Sequence, residues 1–239
     1  MKNLDIKLHP NLAVIVGANG SGKTSIMEGA AIAVSTIFVK MDGLYSRRID
    51  KNQVRLKAFS VGSTKDVQPQ YPVTVQAEAM TKSGVKKWER SLNKLNGSTT
   101  IGNAKEMIDL GIQFQKHLRE GDTKLILPVI AYYGTGRLWD YHREKQSDVF
   151  ETNNRMNGYM DCVDGTANIK LMMNWFAKMT VRKYQNQELG LEGIPELEAV
   201  YAAMETCYKK LPEMMKLKYS TMLEQRNWKW LTEMNQVSS

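Results

Sequence analysis

Cysteine and histidine are scarce in this chain of 239 residues, with two of the first and three of the second. Cys162 and Cys207 stand alone, and His9, His117 and His142 are scattered. That spacing excludes a disulfide scaffold and offers no zinc-ligand pattern. No apolar run approaches the ~20 residues that a membrane span needs, and the first five residues lack the apolar stretch of a secretory leader. The expectation is a reducing, cytoplasmic setting without a membrane partner. Repeats, low-complexity tracts and long linkers are also missing, so neither a solenoid nor a disordered tail is indicated.

The balance is that of a globular protein, with 42% hydrophobic and 24% charged residues. The chain is long enough to bury a core as one domain or two. Its 33 Lys and Arg against 25 Asp and Glu leave a net charge of +8. The basic residues are spread along the chain, which suits a solvated surface. A polyanion such as DNA remains the second reading, one that strong salt dependence would reveal.

One run stands out. Gly17, Ala18, Asn19, Gly20, Ser21, Gly22, Lys23 and Thr24 follow the spacing G-x-x-x-x-G-K-[ST]. With glycine at about 7% of residues, roughly one chain of this length in a hundred would carry it by chance. The flanks make chance less adequate still. Residues 12–16 (Leu-Ala-Val-Ile-Val) suit a strand buried on both faces. After the run, Ile26, Ala30, Ala33, Val34, Ile37 and Phe38 form an apolar stripe at helical spacing. Such a loop turns backbone N–H groups and a positive helix end toward a polyphosphate. Gly17, Asn19, Gly20, Ser21 and Gly22 would supply the amide cradle. Lys23 would reach the β- and γ-phosphates, Thr24 would ligate Mg²⁺, and Ser25 would bond the α-phosphate. The expected ligands are ATP and Mg²⁺.

Elsewhere the chain reads as strands at 4–8, 12–16 and 125–133. A small antiparallel sheet of three strands is expected within an insertion at about 52–92, and an amphipathic helix over 103–119. From residue 166 the pattern is helical. Ile169, Met172, Met173, Phe176 and Met179 make one stripe; Leu197, Val200, Tyr201, Met204, Tyr208 and Leu211 make another, opened by Pro195. Residues 216–219 and 228–231 could return as short strands. The division expected is an α/β lobe over 1–160 and a helical region over 161–239.

Hydrolysis asks for a second acidic residue at a strand end to hold Mg²⁺ through water, commonly with a glutamate beside it. No apolar run here ends in such a pair. Residues 161–165 (Asp-Cys-Val-Asp-Gly) carry carboxylates but read as a turn before a helix. No catalytic residue is therefore assigned.

The phosphate-loop run, the strand pair before it and residues 131–139 (Ala-Tyr-Tyr-Gly-Thr-Gly-Arg-Leu-Trp) resemble one group of bacterial proteins. These are the ABC/SMC-type AAA family ATPases related to the RecF and OLD proteins, including phage-defence ATPase subunits. The resemblance implies a P-loop NTPase fold, an ABC/SMC-type head lobe with an antiparallel β insertion and a helical C-terminal part. It implies ATP held between two heads, so that triphosphate drives head dimerisation. It places Gly134, Thr135, Gly136 and Arg137 where a Q-loop-like or sensor segment lies, with a plain strand-to-loop turn as the alternative. It makes Arg47 and Arg48 candidates for facing nucleotide or DNA, against solvated surface charge. The signature, Walker B and switch positions have no counterpart, and residues 235–239 (Asn-Gln-Val-Ser-Ser) resemble the start of a signature cut before its glycine. The expectation is the N-terminal half of a longer ATPase, truncated before the signature motif. Two other readings stand beside it: a non-hydrolysing, nucleotide-gated DNA-binding or defence subunit, and a P-loop small-molecule kinase. The kinase would need lid arginines and an acceptor pocket with a base, and the antiparallel insertion and the turn at residues 133–137 (Tyr-Gly-Thr-Gly-Arg) argue against it.

Overall fold

The computed structural model describes residues 3–138, 155–165 and 169–210. They fall into two compact units, the first from residues before 139 together with 155–165, the second from residue 170 onward. The short strands expected at 216–219 and 228–231, and Trp139 and Leu211, lie outside the described residues.

Helix α1 (Lys23–Val34) begins directly after the glycine-rich run and tightens into a 3-10 turn, Ser35–Phe38. Its sequence is mostly small and apolar, and its far end is the part that goes inside. Ala33, Ile37, Phe38 and Met41 are buried against Trp88, Ala104, Met107, Ile108, Met156, Tyr159 and Val163. Two polar side chains enter with them: Ser35 Oγ and Thr36 Oγ1 both donate to the Ile32 carbonyl, at 3.0 and 3.1 Å. The Trp88 indole N–H donates to the Ala33 carbonyl at 3.0 Å, which satisfies a donor that burial would otherwise leave costly. Helix α2 (Lys105–Arg119) crosses this end at Gly111, where an added Cβ would come within 1.9 Å of the Ile37 carbonyl oxygen. Only glycine permits that approach.

The insertion differs from the expected three-stranded sheet. Strands β1 (Leu56–Val61) and β2 (Thr64–Pro69) pair antiparallel, and so do β3 (Val73–Thr81) and β4 (Gly84–Leu92), as two separate two-stranded sheets. Strand β2 escapes a sequence reading because Lys65, Asp66 and Gln68 interrupt any apolar alternation. The β1–β2 hairpin is wet on both faces. By contrast β3 alternates half-buried with exposed, and Trp88, Arg90, Ser91 and Leu92 of β4 are buried.

The largest departure concerns the apolar runs. Residues 4–8, 12–16 and 125–133 carry no helix or strand ladder. Leu12, Val14 and Val16 remain 72%, 74% and 87% exposed, and Val129 is 98% exposed. Strand burial needs a hydrogen-bonded ladder with neighbours, and among the described residues the 125–133 run has only isolated bonds, such as Tyr132 N to the Cys162 carbonyl. Leu127 and Ile130 still pack against the core of the first unit, whereas the apolar side chains of Leu12, Val14 and Val16 stay in solvent.

In the second unit, α3 (Ile169–Glu188) and α4 (Pro195–Lys209) form a helical pair. Phe176, Met179, Ile194 and Leu197 are buried, with Met172, Trp175, Val200 and Tyr201 packed against them. Met172 and Met179 fill this core, as polarizable, unbranched side chains often do, whereas Met204 and Tyr208 of the second stripe are exposed. Pro195 opens α4, where its missing N–H costs nothing.

Arg90 is the least expected buried residue. Its Nε donates to the Thr100 carbonyl at 2.8 Å, and Nη1 reaches Ser46 Oγ at 3.2 Å and Thr36 Oγ1 at 3.4 Å. Burial, and then the charge of nearby Arg48, push its pKa down. One guanidinium thus ties β4 to the end of α1 and to two loop segments. Replacing it should strand three acceptors together. We expect Arg90→Ala to lower the unfolding free energy by about 3 kcal/mol in urea titration. A loss under about 0.5 kcal/mol, typical of a surface site, would contradict this role.

Candidate phosphate-binding site

The phosphate-loop run curls into a compact turn. Ser21 N donates to the Ala18 carbonyl at 3.2 Å, and a Cβ added at Gly17 would meet Ser21 Oγ at 2.7 Å. Gly22 sits at φ 91°, ψ 12° and serves as the N-cap of α1. A side chain there would be strained, so the final glycine of the run is required by the backbone as well as by any ligand. Gly20 adopts φ 77°, another left-handed turn.

No side chain caps α1, and its first turn holds no acidic residue. The leading N–H groups of a helix lack partners within it and carry the positive end of its dipole. Here no side-chain cap takes them up. Lys23 Nζ donates to the Gly17 and Ala18 carbonyls at 2.8 and 2.7 Å, so the lysine closes the loop upon itself. Gly20, Ser21, Thr24 and Ser25 are exposed, as are Gly17 and Asn19. The result is an uncapped, solvent-facing helix end with one ammonium and the hydroxyls of Ser21, Thr24 and Ser25. Anionic oxygens could compete for the ammonium, and a hard cation for the Thr24 hydroxyl.

Arg47 and Arg48 part company. Arg48 is exposed. Arg47 is largely covered: its Nη2 lies 3.5 Å from Glu28 Oε1, its Nη1 donates to the Val163 carbonyl at 3.4 Å, and its guanidinium carbon lies 4.7 Å from the centre of the Tyr132 ring. Glu28 also accepts from Gln53 Nε2 at 2.9 Å. Glu28, Gln53 and Tyr132 were not legible as partners. A signal existed for Glu28, the sole carboxylate in α1, four residues after Thr24 and so on its face.

Gly134 lies two residues after Tyr132, and a Cβ added there would lie 2.9 Å from Gly165 Cα. Thr135 to Arg137 belong to a single 3-10 turn, Thr135–Leu138. Residues 161–165 form a turn, in which Asp164 N donates to the Asp161 carbonyl at 2.9 Å. Tyr132 N donates to the Cys162 carbonyl at 2.7 Å, joining the two segments. An open cavity of about 500 Å³ lies apart from the loop, lined by Asp5, Gln76, Glu78, Lys87, Glu89 and Asn103 among others. Hydrogen bonds from Gln76 and Asn103 lower the Glu89 pKa there. Among the described residues no group of His, Cys, Asp and Glu is arranged to hold a metal, and no helix is long and apolar enough to cross a membrane.

A glycine-rich turn feeding an uncapped helix, with lysine and threonine at its first two positions, defines a protein of the phosphate-loop nucleotide-binding class. The family model described as "AAA domain" matches residues 1–212, and the chain belongs to that family. The P-loop NTPase fold and nucleotide-binding ATPase function go with it, as does general use of ATP with Mg²⁺. No curated protein matches the chain.

Cys162 provides a simple check on this region. Burial, and then the Asp161 charge, push its thiol up to about 11, whereas Cys207 is exposed. Raising the pKa depletes thiolate, the reactive form. A thiol reagent at pH 8 should therefore label Cys207 well before Cys162. Equal rates would contradict the burial of the 161–165 turn.

Proposed function

We propose that this chain is the ATP-binding lobe of an ABC/SMC-type ATPase, in which bound triphosphate drives one head against another. One observation carries the reading: the amino end of α1 has no side-chain cap, and the Lys23 ammonium beside it is held by the Gly17 and Ala18 carbonyls. In this reading Gly17, Asn19, Gly20, Ser21 and Gly22 wrap the phosphates with their amides. Lys23 leaves Gly17 and Ala18 for the β- and γ-oxygens. Thr24 ligates Mg²⁺ and Ser25 bonds the α-phosphate. The metal and the lysine together offset the polyphosphate charge, which is what binding chiefly requires.

Gly134, Thr135, Gly136 and Arg137 serve as the segment that senses the γ-phosphate, joined to the loop's own helix through Arg47. Arg48, exposed on the surface, is the better placed of the two arginines for DNA. The apolar side chains of Leu12, Val14 and Val16 beside the loop favour a covering partner over a free-standing catalyst. Hydrolysis belongs to the assembled protein, because no apolar run of this chain supplies the acidic pair that would hold metal and water. The assembly acts in the cytoplasm.

Two measurements test this. Calorimetry should detect ATP–Mg²⁺ binding by the chain, and Lys23→Ala should abolish it; equal binding by the variant removes the site. The isolated chain should release no phosphate above the Lys23→Ala background, and turnover above it would reveal a catalytic carboxylate in these residues. The alternative of a nucleotide-gated DNA-binding subunit predicts duplex affinity that falls steeply with salt and changes with ATP.

A further inference from the structure

Arg47 sits where three segments meet. It touches Glu28 on the phosphate-loop helix, the ring of Tyr132 just before the 134–137 turn, and the carbonyl of Val163. Its own backbone N–H donates to the buried Ser35 Oγ at 3.0 Å, which fixes the residue on the far end of the same helix. Glu28 is one helical turn beyond Thr24, about 6 Å along the axis. Glu28 is therefore the carboxylate of α1 on the same helix face as Thr24, and only about a quarter of its side chain is exposed.

Two features make the contact able to respond. The Arg47 bonds to Glu28 and Val163 are 3.5 and 3.4 Å long, so a shift of a few tenths of an ångström tightens or breaks them. Glu28 has a second holder in Gln53, at 2.9 Å, which retains the carboxylate if the arginine moves. On the other side the link is stiff. Tyr132 is bonded to Cys162, and Gly134 meets Gly165 too closely to admit a Cβ, so 132–134 and 162–165 move as a pair.

We propose that Arg47 is a positioning residue that clamps the 132–134 segment to α1 through Glu28 and carries phosphate occupancy at Lys23 and Thr24 to the 134–137 turn. The transmission rests on the nucleotide-binding reading above; the clamp itself does not. Its guanidinium is committed to the protein, not to the ligand. Shape matters, since the guanidinium carbon lies over the Tyr132 ring while its two terminal nitrogens meet Glu28 and Val163.

Hydrogen exchange of the 239-residue chain, with and without ATP–Mg²⁺, tests both parts. Without nucleotide, Arg47→Ala should speed exchange across 130–134 roughly tenfold, while β3 and β4 exchange as in the wild type. Tyr132→Phe keeps the ring and should match the wild type; Tyr132→Ala should match Arg47→Ala, and the double variant should add little. Arg47→Lys keeps the charge without the planar fork and should fall between. With ATP–Mg²⁺, the wild type should change exchange over 134–137, and Arg47→Ala should not, although it binds ATP within about threefold of wild type. Unchanged exchange at 130–134 in Arg47→Ala would overturn the clamp, and so would faster exchange throughout β3 and β4, the mark of general destabilisation. Loss of ATP binding as complete as in Lys23→Ala would place the arginine on the ligand and overturn the proposal. Failure of the wild type to bind ATP would overturn the nucleotide reading and the transmission, with the nucleotide-free arm still deciding the clamp.

Discussion

Helix α1 is held at one end and open at the other, and everything else in the first unit follows from that asymmetry. Its carboxyl end is a core element: Ile32, Ala33, Ile37 and Phe38 are buried, and Trp88, Ser35 and Thr36 satisfy the local polar groups. Its amino end has no side-chain cap and no acid. Uncapped helix termini leave backbone donors that must find water or a ligand. Rigid anchoring at the far end means that these donors are preorganised and not merely exposed, which is how a short loop can grip a flexible polyphosphate.

The insertion and α2 serve the anchor. Trp88 and Arg90 on β4 reach the last turn of α1 from one side, and Gly111 on α2 lets a second helix pack tightly on it. Arg90 is a buried charge with hydroxyl and carbonyl partners, so its value lies in cross-linking and not in pairing charges. Arg47 extends the same logic outward. It connects the middle of the helix, at Glu28, to residues 132 and 163, so the anchored element also holds neighbouring segments.

Much of this was written plainly in the residues, and the rest was not for identifiable reasons. The turn and the start of α1 could be read because glycine stands where φ is positive, at Gly20 and Gly22, and the residues that follow keep helical spacing. The stripes at Phe176, Met179, Leu197 and Tyr201 were legible because helical periodicity maps directly onto burial. Strand β2 was hidden by its polar composition. The apolar runs at 12–16 and 125–133 announced strands, yet strand formation depends on partners that composition does not name. Arg47 illustrates the limit most sharply. Its neighbours Glu28, Tyr132 and Val163 are brought together by tertiary packing from positions up to 116 residues away, and no local pattern marks them.

The central claim is that the amides at the head of α1 bind the phosphates of ATP. Mapping ¹⁵N–¹H shifts of the chain during titration with ATP–Mg²⁺ and, separately, with AMP measures it directly. The account predicts saturable shifts that are largest at residues 19–24 with ATP and absent there with AMP. Shifts at 19–24 that are equally small for both, or larger elsewhere in the chain, would contradict it.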